Sequence, residues 1–270
     1  TNGFYVSDSL PISAQECTNW YVNVPQSPSR APDTLFGTPG ILQLATTGTV
    51  QQQNRGAVAF RGQAYYVNGN ALYRMNADLS LETIGNIDGS GRVSIAENGT
   101  QLFILVPGGK GYIFTDDPDT LTEITDLDFT ANGQPQYVVF VDGYFVLTTD
   151  GKKFIVSALN DGLSYNALDF GTAEANPDDT VAPFVFKNQL FIMGTITCEA
   201  FQNVGGSGFP FTRSGLFLSK GVAAPLSLID ASDTFMWIGG GKNESPAIWS
   251  FAGNSTQKVS TTAIDNLLQD

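Results

Sequence analysis

Apolar and polar residues along this 270-residue chain alternate in short runs rather than at helical spacing, and one three-part unit recurs. An apolar run enters a two-residue turn, a second run returns from it, and a third, rich in aromatics, follows a polar loop. The copies are AVAF-RG-QAYYV then ALYRM; VSIAE-NG-TQLFILV then GYIFT; YVVFV-DG-YFVLT then KKFIVSAL; FVF-KN-QLFIM then CEAFQNV; and LIDAS-DT-FMWIG then PAIWSF. Their turn residues Gly62, Gly99, Gly143, Asn188 and Thr234 are separated by 37, 44, 45 and 46 residues. Asn98-Gly99 and Asp142-Gly143 are the dipeptides that type I′ hairpins favour, because both central residues take positive φ. Arg61-Gly62, Lys187-Asn188 and Asp233-Thr234 are placed by the period.

A repeat of about 40 to 45 residues with three or four strands is the size of one propeller blade. The pattern therefore predicts an all-β fold, a β-propeller of antiparallel three- to four-stranded blades, about five to seven of them, with few helices. A β-sandwich also spaces its strands by turns, but it lacks such a long period. The blades occupy residues 54-260. Residues 1-53 do not match the unit and read as an N-terminal arm, with an extended SPSRAP run from Ser27 to Pro32. Residues 261-270 read as a short helix, Thr261 to Leu268, with Thr262 as N-cap and Asp265 at N3, or as the start of a further segment. Because a closed propeller pairs its last blade with its first, closure by the N-terminal arm or by a segment beyond Asp270 is expected.

Composition supports this picture. The chain has 29 Gly, 13 Pro, 19 Phe and 9 Tyr, and 42% of its residues are apolar, which suits short strands and tight turns. Thirteen Lys+Arg against 26 Asp+Glu give a formal charge of -13. Such a chain repels phosphate backbones and anionic membranes unless a local basic patch intervenes, and Lys110, Lys152, Lys153, Lys187, Lys220 and Lys242 are scattered. No apolar run reaches the ~18 residues of a spanning helix, and Thr1-Asn2-Gly3-Phe4 has no signal-peptide character.

Histidine is absent, which removes Ser-His and Cys-His nucleophiles and His-bearing zinc sites and leaves enzymatic chemistry to carboxylates. Cys17 and Cys198 are too few and too far apart for a disulfide framework or a thiolate metal site, and read as packed thiols. Asp116, Asp117 and Asp119 around Pro118, followed by Glu123, Asp126 and Asp128, offer oxygen ligands without the D-x-[DN]-x-[DN]-G loop, so a solvated turn is the simpler reading and neither metal nor cofactor is expected. Glu174, Asp178 and Asp179 read as a connector between blades. Asp150, Asp161, Asp169 and Glu199 are the acids from which a glycosidase pair would be drawn, and a carbohydrate-binding or glycosidase propeller is the alternative function.

Gly205-Gly206-Ser207-Gly208 and Gly239-Gly240-Gly241-Lys242 are not phosphate loops; the second has Met236 and Asn243 where a Walker A loop needs Gly and Ser or Thr. The glycosylation sequons at Asn98, Asn243 and Asn254 carry no weight beside the hairpin reading of the first. The stretch Val204 to Gly215 sets Phe209, Phe211 and Arg213 among glycines, a composition suited to a protein-contact loop or to anchoring that loop in the core.

Several passages together resemble a known family. They are CTNWYVNVP from Cys17 to Pro25, similar to an N-x-Y-P opening although Val22-Asn23-Val24 separates Tyr21 from Pro25; TPGI; RGAVAFRGQAYYVNGNALYRM; GSGRVSIAENGTQLFIL; TDLDFTANGQPQYVVFVDGYFVLTTDGKKFIVSALNDG; and TCEAFQNVGG with KVSTTAI. Spanning most of the chain, they resemble the tail-hub, or packaged-DNA-stabilisation, proteins of short-tailed double-stranded DNA phages. The resemblance implies a non-enzymatic structural component of the virion tail, assembled in the host cytoplasm, in a homo-oligomeric ring of about six copies. It further implies a position after the portal and head-to-tail adaptor, a part in retaining packaged DNA, and attachment of a tail needle, fibres or spikes. Direct contact with DNA is expected to be weak and non-specific.

Overall fold

The computed structural model describes residues 19–23, 34–47, 52–173, 178–206 and 208–269. Cys17, the Ser27–Pro32 run, Glu174 and Ser207 lie outside the described residues. The described chain forms five antiparallel sheets in sequence order, each a blade, preceded by a two-stranded hairpin of Trp20–Asn23 with Thr34–Gly37. Blade one is Asn54–Phe60, Gln63–Asn68, Ala71–Met75 and Leu81–Asn86. Blade two is Ser94–Glu97, Leu102–Val106, Lys110–Asp116 and Asp119–Glu123. Blade three is Pro135–Val141, Tyr144–Thr149, Lys153–Ala158 and the long Asp161–Thr172; blade four is Thr180–Phe186, Gln189–Gly194, Cys198–Asn203 and Phe211–Leu218. In blade five the first strand is split into Gly221–Val222 and Ile229–Asp230, both paired with Phe235–Gly240, and Ala247–Phe251 and Thr256–Lys258 complete it. In the first four blades, first strands touch from blade to blade, which places them innermost. The repeat read from the sequence is thus confirmed, with a fourth, outer strand in each unit.

The packing follows from the two-residue period of a strand, which presents alternate side chains to opposite faces. Leu102, Ile104 and Val106, with Phe114 of the same blade, face blade one, where they join Phe60, Tyr65, Val67 and Leu72. Phe103 and Leu105, between them in sequence, face blade three and meet Phe145 and Leu147. Val146, Phe154 and Val156 then meet Leu190, Ile192 and Phe201 of blade four. Phe191 and Met193 meet Phe235 and Trp237 of blade five. Phe235 meets the rings of Phe186 and Phe191 of blade four at 5.3 and 5.0 Å and stacks within its own blade on Trp237 and Phe251 at 5.3 and 5.0 Å, so aromatic rings from both blades meet at this last interface.

Polar groups tie the blades at their ends. Buried Arg55 donates to the carbonyls of Gly91 (2.8 Å), Gly69 (3.0 Å) and Ile87 (2.8 Å), holding the connector from blade one to blade two. Buried Asp178 accepts from the amides of Thr195 (3.1 Å), Ile196 (2.8 Å) and Thr197 (2.9 Å) and from both threonine hydroxyls, fixing the connector into blade four against that blade's own turn. At the opposite end, Arg61 pairs with Asp116 (2.6 Å) and Asn188 donates to Asp142 (2.9 Å), each across a blade boundary.

Three of the hairpin turns have positive φ at both predicted central residues: Arg61-Gly62, Asp142-Gly143 and Lys187-Asn188. The other two differ from expectation by one residue. Asn98 N–H donates to Gln101 O (3.1 Å), so the central pair is Gly99-Thr100; the Asn98 side chain accepts from the Thr100 and Gln101 amides (3.0 and 2.6 Å), and only Gly99 has positive φ. Ala231 N–H donates to Thr234 O (2.8 Å), which centres the fifth turn on Ser232-Asp233 instead of Asp233-Thr234. The terminal helix spans Thr262–Leu267, and its N-cap is Thr261 rather than Thr262, with no side-chain capping bond.

Gly143 has φ +88, and a Cβ there would lie 2.6 Å from Leu159 Cδ1; Gly99 has φ +85 in open space. Gly143→Val is therefore expected to lower the unfolding free energy by about 2 kcal/mol or more, and Gly99→Val by about 1–2 kcal/mol, from the left-handed backbone alone. Urea unfolding of the two variants checks both values and their order.

Candidate interaction surfaces

The acids singled out in the sequence are spread over separate structural tasks. Asp116 pairs with Arg61, and Asp119 with Arg74 (2.8 Å), so these two join blades one and two on either side of the Asp117-Pro118 turn. Arg74 also holds Glu82 (2.8 Å); the hydrogen bonds it donates to Asp119 first and Glu82 second push its pKa above the ordinary arginine value. Asp126 accepts from the Tyr165 amide (2.8 Å) and Asp128 from the Ala167 amide (3.2 Å), docking the short Leu127–Phe129 turn on the outer strand of blade three. Asp117 and Glu123 are exposed. Among the described residues no group of three or more acids and cysteines is placed to hold a metal ion.

Asp150, Asp161, Asp169 and Glu199 do not form a facing pair. Asp150 follows the second strand of blade three and Asp161 opens its outer strand at the other end, a strand length of about 20 Å away, beyond the roughly 5 to 9.5 Å of glycosidase carboxylates. Asp169 lines a cavity of ≈ 90 Å³ that holds none of the other three. Glu199, 4% exposed, pairs with Arg213 (3.0 Å).

Phe209, Phe211 and Arg213 act together at the boundary of blades three and four. Phe211 is 5% exposed and packs edge-on against Tyr144; Phe209 lies on Phe154 at 5.4 Å. Arg213 donates to Thr172 O of blade three (3.0 Å) while pairing with Glu199 of blade four. The rings hold the base of the glycine-rich loop in the core, and its exposed part is Val204 to Gly206 with Gly208. Cys198 is buried in the interface of blades four and five, where desolvation first and the neighbouring Glu199 second push its thiol pKa far up.

The exposed apolar surface lies elsewhere. Trp20, Tyr21, Leu35 and Phe36 of the N-terminal hairpin are exposed, with Tyr21 stacked on Phe36 at 5.9 Å. Ile41, Leu42 and Leu44 follow, also exposed, and with Tyr66, Met75 and Leu81 they line an open cleft of ≈ 730 Å³ against the free side of blade one. Leu127 and Leu168 are exposed on either side of the junction made by Asp128 and Ala167. The hairpin-turn end carries Asp78, Asp116, Asp117, Asp142, Asp161 and Asp233 against Arg61 and Lys187 and is predominantly acidic.

Arg55, Arg74 and Asp178 have structural roles that local sequence did not reveal, because their partners come from other blades or from turns well along the chain. For Arg55 and Asp178, their burial is the signal, and burial is a tertiary property.

This arrangement defines an antiparallel β-propeller with broad exposed apolar segments, a fold that presents surface for contact. The family described as Bacteriophage P22 Gp10, beta-propeller, matches residues 14–270, and the chain belongs to that family. It is similar to the tail hub protein gp10 of Salmonella phage P22, 22% identical over 253 residues that cover 88% of this chain and 53% of that protein. The chain thus spans about half the length of that relative. Among solved structures it is similar to YCF48 bound to D1 peptide (11% identity, TM-score 0.52, covering 74% of this chain and 66% of that one). It is also similar to PorZ, a surface component of the type-IX secretion system of Porphyromonas gingivalis (14% identity, TM-score 0.50, covering 77% and 28%). These two likenesses concern the fold.

Asp265 is held by Lys258 and by Ser260 (2.5 Å), and Lys258 first, then Ser260, lowers its carboxyl pKa. Its folded-state pKa lies below the unfolded value, so the pairing stabilises the terminal helix above the usual aspartate range and is lost as pH falls through the lowered pKa. The Asp265 carboxyl carbon, followed by NMR, should titrate below a free aspartate in the wild type and closer to it in Lys258→Met. An unchanged midpoint in the variant would contradict the pairing.

Proposed function

We propose that this protein is a structural component of a short-tailed phage tail, a hub or nozzle element. It follows the portal and head-to-tail adaptor, helps retain packaged DNA, and offers attachment surface to a needle, fibres or spikes. The observation that carries this reading is the family match over residues 14–270, which runs through all five blades. The exposed apolar hairpin and the following Ile41–Leu44 segment support a role in assembly, since apolar surface of this kind is covered in complexes. A homo-oligomeric ring, of six copies by resemblance to tail-hub proteins, is the proposed assembly, and the virion tail its location. In this reading the contact loop around Phe209, Phe211 and Arg213 offers its glycine-rich tip, while the two rings and the Arg213–Glu199 pair keep the tip in place.

The protein acts without catalysis in this reading. The net charge of -13 and the acidic turn end allow DNA to pass a lumen without adhering. Free protein should bind duplex DNA near the non-specific limit, at about 10⁻⁴ M or weaker at physiological salt. Tight binding with a steep salt slope would overturn the charge argument. The direct test of the role is a phage carrying a nonsense mutation in this gene: packaged heads should form, lack a complete tail, and lose DNA on storage. Heads that keep their DNA and carry complete tails would refute the proposal.

A further inference from the structure

Asn-Gly pairs at Asn68, Asn98 and Asn132 lie among the described residues. The dipeptide carries a chemistry of its own: the glycine nitrogen can attack the asparagine side-chain carbonyl carbon, because glycine has no Cβ to hinder the five-membered ring that forms. The three settings differ in what holds the side-chain amide and in what the glycine N–H meets. At Asn132 both ends of the amide are tied, Oδ1 accepting from Lys153 Nζ (2.8 Å) and Nδ2 donating to Ala167 O (2.8 Å), and the Gly133 N–H goes to a carbonyl, Thr130 O (3.2 Å). At Asn68, Oδ1 accepts from the Thr47 hydroxyl (3.3 Å), Nδ2 donates to Gln52 O (3.2 Å), and the Gly69 N–H goes to Gln53 O (3.0 Å). A carbonyl holds such a proton but does not take it.

Asn98 is arranged otherwise. Its Oδ1 accepts from the Thr100 amide (3.0 Å), the Thr100 hydroxyl (3.0 Å) and the Gln101 amide (2.6 Å), while its Nδ2 donates over a long 3.4 Å to Asn160 O. The Gly99 N–H donates to a carboxylate oxygen, Glu97 Oε2 (2.5 Å), and the space around Gly99 is open to water. We propose that Asn98-Gly99 is a self-modification site, at which the chain converts Asn98 through a cyclic imide to aspartate and isoaspartate. Glu97 takes the proton of Gly99 N as that nitrogen bonds to Asn98 Cγ, and the three donors stabilise the negative charge that develops on Oδ1. The Cγ–Nδ2 bond then breaks, and Nδ2 leaves as ammonia with the proton returned from Glu97. Water adds to either carbonyl of the imide and opens it, which gives aspartate or isoaspartate. The product has a carboxylate beside Glu97 and no N–H to reach Asn160, so it adds charge to the acidic turn end and unties the turn of blade two from that of blade three.

Peptide mapping by mass spectrometry tests this. The purified chain is held at neutral pH and physiological temperature, folded or in guanidinium chloride, and conversion at the three asparagines is followed with time. In the folded chain Asn98 should convert at least as fast as in the unfolded one, whereas Asn68 and Asn132 should convert at least tenfold more slowly folded than unfolded. Slower conversion of Asn98 in the folded chain than in the unfolded one would overturn the proposal, and this comparison needs no variant. Glu97→Gln, at an exposed position, should slow Asn98 at least threefold in the folded chain and leave its rate in the unfolded chain unchanged. A folded-state rate equal to that of the wild type would also overturn the proposal, since the carboxylate is what distinguishes this glycine from the other two. Because the isolated chain is used, the outcome is separate from any failure of the tail assignment.

Discussion

A propeller blade is a sheet with two apolar faces, and neither face can be left to water without cost. Burial is worth roughly 25 cal/mol per Å² of apolar surface, so a strand such as Leu102–Val106, buried at all five positions, stabilises the fold only between two neighbours. Each blade is therefore a condition for the next, and stability is shared along the arc rather than held in one central core. The four hydrophobic clusters are the four inter-blade contacts, and each draws on alternate residues of the same strands.

Polar groups complete what apolar burial leaves open. Sliding one blade over another would conserve most of the buried area, and directional bonds oppose it. Arg55 fixes the connector between blades one and two through three carbonyls, and Asp178 fixes the one before blade four through three amides. Leaving any of these buried groups unpaired costs about 1–3 kcal/mol, more for the charged side chains, which makes register an expensive thing to lose. The Arg213–Glu199 pair serves blades three and four in the same way, and shows why a charged residue beside two phenylalanines in a glycine-rich loop need not be a ligand site.

The same construction bears on function. Of the acids from which a metal or carboxylate site could be drawn, Asp116 and Asp119 are occupied in joining blades one and two and Glu199 pairs with Arg213, while exposed apolar groups include the N-terminal hairpin, the Ile41–Leu44 segment, Leu127 and Leu168. A protein of this family that presents such surface is suited to assembly with other components.

The repeat, the antiparallel blades and the family resemblance were legible in the chain, because a two-residue apolar period and turn dipeptides are local properties read within about 10 residues. Arg61-Gly62, Asp142-Gly143 and Lys187-Asn188 have the predicted backbone for that reason. Asn98-Gly99 and Asp233-Thr234 moved by one residue, because side chains of Asn98 and Asp230 captured nearby amides and recentred the turns, a competition that dipeptide preference does not contain. Outer strands such as Asp119–Glu123 carry few apolar residues and were not visible as part of the repeat; their pairing with the third strand defines them. Whether Phe209 and Phe211 face solvent or core, which acids meet which arginines, and which sheet faces are covered were decided only by the fold, since each depends on residues brought together across blade boundaries by packing rather than by proximity in the chain.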